Sequence, residues 1–80
     1  MTVRVLLFAS YADAIGAATL NVEVGESARV RDVLAAVQAR AASSTLPPRP
    51  LVAVNSEYAE LDQLVVAGDE VAIIPPVAGG

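Results

Sequence analysis

TLNVEVGESARVRDVLAAVQARAA, residues 19–42, changes its hydrophobic period partway along, and that change decides the fold. From Thr19 to Val24 apolar and polar residues alternate, with Leu20, Val22 and Val24 on one face, as in a strand. Gly25-Glu26-Ser27 then turns the chain. From Ala28 to about Ala42 the apolar residues Val30, Val33, Leu34 and Val37 fall at i, i+3, i+4 and i+7, one stripe of a helix. Ser27 is the expected N-cap, and Asp32 lies early enough to favour the helix dipole.

Working outward, Val3 to Phe8 (VRVLLF) has the β-branched and aromatic content of a strand. Ser10 to Gly16 (SYADAIG) predicts a short helical turn capped by Ser10 and ended by Gly16. Two strands so closely connected are expected to pair antiparallel. Towards the C-terminus, Ser43 to Pro50 (SSTLPPRP) reads as a loop, because its prolines cannot continue a helix. Leu51 to Val54 is a third strand, Asn55-Ser56 a hairpin turn, and Glu57 to Glu60 a short returning strand. After Leu61 to Val66, Gly68-Asp69 turns the chain into a last strand, Glu70 to Ile74, which Pro75-Pro76 stops. One amphipathic helix needs one sheet to cover, so the order predicts a two-layer α+β domain spanning 1–80, with a flexible tail at 75–80.

Composition narrows the chemistry. The sequence has no cysteine and no histidine, which removes disulfides, thiolate zinc sites and the commonest general base. Chemistry in this chain is therefore expected to use something other than a side-chain nucleophile. A net charge of −4, with five scattered arginines and no lysine, argues against nucleic acid. Mild acidity suits a basic protein partner, and it equally suits plain solubility. No apolar run approaches the roughly 18 residues of a membrane span. The opening Met1-Thr2-Val3-Arg4 lacks the look of a secretory signal, so the expected location is cytoplasmic.

The ending Pro75-Pro76-Val77-Ala78-Gly79-Gly80 is the constellation with chemical content. The prolines stiffen the exit from the sheet, and the four residues beyond reach on the order of 13 Å when extended. Gly79 and Gly80 have no Cβ and can thread a narrow channel. A terminal carboxylate, with a reference pKa of about 3.3–3.7, is anionic at neutral pH and able to attack the α-phosphate of ATP in an activating enzyme.

Residues 68–80, GDEVAIIPPVAGG, resemble the C-terminal signature of the molybdopterin synthase small subunits, within the molybdopterin and thiamine sulfur-carrier family. Val5-Leu6-Leu7-Phe8-Ala9 with Gly16 after it, and Val52-Ala53-Val54-Asn55, are similar to the same family, so the resemblance spans the chain. It implies a β-grasp (ubiquitin-like) fold: a mixed sheet, first and last strands parallel at its centre, covered on one face by one main helix. It also implies that Gly80 is adenylated, becomes a thiocarboxylate, and donates sulfur to cyclic pyranopterin monophosphate in molybdenum cofactor biosynthesis. Pro75, Pro76, Val77, Ala78 and Gly79 would thread the tail into a partner's active site. By the same resemblance, Phe8, Tyr58 and Ile74 match a hydrophobic patch that docks on the large catalytic subunit, in an expected heterotetramer.

On this reading the chain is no enzyme alone and binds no cofactor or metal. ATP and Mg belong to an adenylyltransferase/sulfurtransferase activating enzyme, and no membrane is involved. Ala12-Asp13 stands where the family often carries Arg-Glu. Further readings remain open: a carrier for cysteine, thiamine or tRNA thiolation, conjugation to other proteins as ubiquitin-like modifiers do, and a non-covalent ubiquitin-like binding module. Strand alternation puts Val3, Val5 and Leu7 on one face and Arg4, Leu6 and Phe8 on the other, and Val71 and Ile73 likewise oppose Ala72 and Ile74. Both faces are therefore apolar, although Phe8 and Ile74 also fit completion of the core. Glu57, Glu60, Asp62, Asp69 and Glu70 are expected to be a solvated rim.

Overall fold

The computed structural model describes residues 1–41 and 50–75. Among them the order is β1 (Thr2–Leu7), α1 (Ala9–Ile15), β2 (Thr19–Glu23), α2 (Val30–Ala41), β3 (Leu51–Val54), β4 (Glu57–Tyr58) and β5 (Glu70–Ile74). The strands form one sheet in the order β2-β1-β5-β3-β4. The central pair β1 and β5 is parallel, with Val5 opposite Val71 and Leu7 opposite Ile73, and every other pair is antiparallel. Parallel neighbours cannot share a tight turn. Here they come from opposite ends of the chain, with α2 between them in sequence. This is the β-grasp arrangement that the resemblance implies.

Alternation along each strand builds the core on one face of the sheet. Val3, Val5 and Leu7 of β1, Val52 and Val54 of β3, and Val71 and Ile73 of β5 are all buried there. Val30, Val33 and Val37 of α2 close over them with no exposure at all, and Leu34 packs half-buried beside them. Each such side chain contributes roughly 1.5–3 kcal/mol by leaving water. Tyr11 anchors α1 to the same cluster and is fully buried.

Two expected caps are corrected. Helix α1 starts at Ala9, its N-cap is Phe8 without a side-chain cap bond, and Ser10 lies inside the helix. The cause is the end of β1: Phe8 N–H donates to Ile73 O at 3.3 Å, and the Phe8 carbonyl immediately accepts Tyr11 N–H at 3.1 Å. The chain bends between these bonds by putting Ala9 at φ 49, a left-handed conformation. Gly16 ends the helix as expected, at φ 84, with its N–H donating to Ala12 O.

Ser27 does not cap α2, which begins three residues later. The Arg29 carbonyl accepts Asp32 N–H at 2.9 Å, and Arg29 N–H donates back to Asp32 Oδ2 at 2.8 Å. The next two N–H groups are taken by the loop before β5: Val30 N–H donates to Gln63 O and Arg31 N–H to Leu61 O, both at 2.9 Å. First-turn donors that would otherwise be orphaned are thus satisfied by tertiary backbone contacts. The expected strand ends shift slightly, since Phe8 and Val24 fall outside their strands and β4 holds two residues. Apart from Pro50, the expected 43–50 loop lies outside the described residues.

Candidate docking face and tail

Because α2 covers one face, the other face of the sheet is left open. Its apolar side chains follow from strand parity: Leu6 on β1, Ala72 and Ile74 on β5, Leu51 and Ala53 on β3, and Tyr58 on β4, with Arg4 and Glu70 paired at one end of the same face. Register brings them together. Leu6 pairs with Ala72, Ala72 with Ala53, Ala53 with Tyr58, and Leu51 with Ile74. Phe8, just past β1, is 45% exposed, and Tyr58 on the edge strand is 75% exposed. The three positions named from the sequence, Phe8, Tyr58 and Ile74, line one groove of about 290 Å³, floored by Leu6, Ala53 and Ala72.

Leu51 is a member of this face that the sequence reading passed over. It is 41% exposed and sits beside Ile74. In LVAV every residue is apolar, so alternation alone cannot say which side faces the helix, and only pairing with β5 decides it. Around the β4 edge the apolar surface continues, where Leu51, Tyr58 and Leu61 line a second depression of about 360 Å³.

Charge is segregated as well. Residues 50–80 contain Glu57, Glu60, Asp62, Asp69 and Glu70 and no arginine or lysine. Glu57, Glu60 and Asp62 are exposed, whereas Asp69 and Glu70 are half-buried at the turn into β5. The apolar face therefore carries an acidic border on its β4 side. Among the described residues no group of three or more acidic side chains is placed to hold a metal ion. Among the described residues, burial pushes the Tyr11 phenol above its ordinary value of 10.0.

The tail begins at the end of the central strand. Ile74 lines the groove, and Pro75, half-buried, follows it directly. Whatever covers the groove therefore meets the root of the tail. Pro76, Val77, Ala78, Gly79 and Gly80 lie outside the described residues.

Comparison with known proteins follows the same span. The ThiS family model matches residues 5–80. The molybdopterin synthase sulfur carrier subunit of Chlamydomonas reinhardtii is 35% identical over 83 residues, covering 100% of both chains. The protein of that name from Homo sapiens is 34% identical over 82 residues, covering 98% of this chain and 93% of the relative. Among solved structures, the small archaeal modifier protein 1 of Haloferax volcanii superposes with a TM-score of 0.84 at 35% identity, over 100% of each chain.

Proposed function

This chain belongs to the ThiS family, and from that membership we propose that it is the sulfur-carrier subunit of a molybdopterin synthase, with Gly80 as the group that carries sulfur. The observation that carries this reading is the continuity of docking face and tail. Ile74 is a wall of the apolar groove, Pro75 is the next residue, and the family match runs on through Gly80. A partner seated on Phe8, Tyr58, Leu51 and Ile74 receives the tail at a fixed point, with the reach of about five residues to place Gly80 in its active site.

The chemistry is then divided between partners. In an activating enzyme the Gly80 carboxylate attacks the α-phosphate of ATP, pyrophosphate leaves, and an acyl-adenylate forms. Sulfide-level sulfur (HS−) attacks the acyl carbon, AMP leaves carrying one carboxylate oxygen on its phosphate, the S–H proton goes to solvent, and Gly80 ends as a thiocarboxylate. The resulting thiocarboxylate docks on the large subunit, and its sulfur bonds to a carbon of cyclic pyranopterin monophosphate as an oxygen leaving group departs. Water then hydrolyses the acyl–sulfur bond of that thioester, releasing Gly80 as carboxylate and leaving the sulfur on the pterin. Two rounds supply the two sulfurs of a dithiolene. This chain contributes recognition and delivery, and the partner contributes the catalytic side chains.

Likeness to the small archaeal modifier favours a second reading, in which activated Gly80 is joined to amines of other proteins. Reconstitution separates the two. Thiocarboxylated chain, large subunit and precursor are mixed, and the dithiolene pterin is measured. Stoichiometric product supports the synthase reading. No product, together with amide-linked adducts when the adenylate meets a lysine-rich protein pool, supports the modifier reading.

A further inference from the structure

The β4 strand is two residues long and, among the described residues, lies at the edge of the sheet and pairs with β3 alone. Tyr58 on it is mostly exposed, so packing does little to fix where that ring stands. The turn that leads into β4 is held more firmly. Asn55 and Ser56 both sit in the left-handed region, at φ 51 and φ 72. Glycine would satisfy that geometry at least as well as asparagine. Asparagine is explained by its side chain.

Asn55 N–H donates to Glu70 O at 2.8 Å, and Glu70 N–H donates back to Asn55 Oδ1 at 3.0 Å. Asn55 Nδ2 donates to Asp69 Oδ1 at 2.9 Å. The other carboxylate oxygen, Asp69 Oδ2, accepts Val66 N–H at 2.9 Å. One amide and one carboxylate thus join three segments: the β3–β4 turn, the turn at 66–69 and the start of β5. The side-chain bonds are exposed to solvent, where each exchanges with water and adds little to global stability. Their effect is on orientation.

We propose that Asn55 is a positioning residue for docking: its amide clips the β3–β4 hairpin to Asp69 and Glu70 and so holds Tyr58 over the groove that receives the large subunit. This rests on the synthase reading for the identity of the partner. Asn55 lies in the β3–β4 turn, and its role is one of positioning. It acts through Tyr58, by removing in advance the disorder that binding would otherwise have to remove.

The test reverses the clip. Asn55→Asp places a second carboxylate against Asp69 and breaks it. Adding Asp69→Asn restores donor and acceptor in the opposite sense, since the new amide can donate to residue 55 and still accept Val66 N–H. Two readouts are taken on the full chain: affinity for the large subunit, and amide hydrogen exchange at Ala59, whose N–H donates to Val52 O at 2.9 Å across the hairpin. Asn55→Asp is expected to weaken binding about three- to tenfold, the scale of ordering one side chain at an interface, and to speed exchange at Ala59. The double substitution restores both, and in a Tyr58→Ala background Asn55→Asp leaves affinity unchanged.

Failure of the reversed pair to restore affinity, or an equal loss with and without Tyr58, overturns the proposal. If the unaltered chain does not bind the large subunit, the synthase reading fails. The clip is then judged on Ala59 alone, and exchange that Asn55→Asp leaves unchanged overturns it.

Discussion

Tyr58→Ala removes the most exposed large apolar side chain among the described residues, and its cost should fall on binding and spare the fold. A tyrosine offers roughly 150–250 Å² of contact area. With 75% of it open, docking has roughly 110–190 Å² left to cover, about 3–5 kcal/mol at about 25 cal/mol per Å². Ordering the ring and its pocket takes back about 0.5–1.5 kcal/mol. The net loss is about 1.5–4.5 kcal/mol, or roughly 10- to 1,500-fold in Kd. Stability should change by no more than about 0.5 kcal/mol, as for other surface substitutions.

Ile73→Val is the matched control. Ile73 is the neighbour of Ile74, fully buried on the helix side of the same strand. Losing one methylene there should cost about 0.5–1.5 kcal/mol of stability, lowering Tm by several degrees in a domain of this size at roughly 4–8 °C per kcal/mol. Its Kd should stay unchanged. Isothermal titration into the large subunit and thermal unfolding of each variant measure both quantities. A Kd within about threefold of the original for Tyr58→Ala, against the hot-spot range of about 2 kcal/mol or more, would refute the docking face. So would a drop in Tm as large as that of Ile73→Val, since Tyr58 would then be part of the core.

Two predictions concern the frame of α1. Gly16, at φ 84, has nothing within 4 Å of an added Cβ, so Gly16→Ala costs only backbone strain, about 1–2 kcal/mol, read as a lower Tm. Ala9, at φ 49, carries the opposite burden, and Ala9→Gly should raise Tm or leave it level where glycine elsewhere in a helix lowers it. A third concerns pH. Because burial raises the Tyr11 phenol above 10.0, the folded state holds its proton more tightly than the unfolded chain does. That stabilisation is complete below the unfolded pKa and is lost as pH rises through the folded one. The urea midpoint should therefore fall above about pH 10, and Tyr11→Phe should flatten the fall.

Much of the architecture was legible because adjacent stretches carry different periods. Leu20, Val22 and Val24 repeat every two residues, and Val30, Val33 and Val37 repeat as a helix does, so the boundary near Gly25 was plain. The last strand was read to the residue, since Gly68 and Pro75 bracket it. Helix starts were less legible. Ser10 and Ser27 have capping side chains, but α1 starts where the β1 ladder releases the chain, and α2 starts where carbonyls of residues 61–63 meet its first N–H groups. Those partners are remote in sequence. Phe8, Tyr58 and Ile74 came from family resemblance, and the structure gathers them along one groove. Leu51 required the β3–β5 register. Pro75, which stops the last strand, marks the root of the tail.

The central claim is that Gly80 is the reacting group, and intact mass spectrometry tests it most directly. The chain is incubated with a molybdopterin-synthase adenylyltransferase, Mg-ATP and a sulfur donor, beside a chain lacking Gly80 and an authentic carrier as positive control. The account predicts a mass gain equal to one sulfur replacing one oxygen, located at Gly80 by fragmentation and absent from the truncated chain. A folded full-length chain that keeps its mass while the control carrier gains sulfur would contradict it.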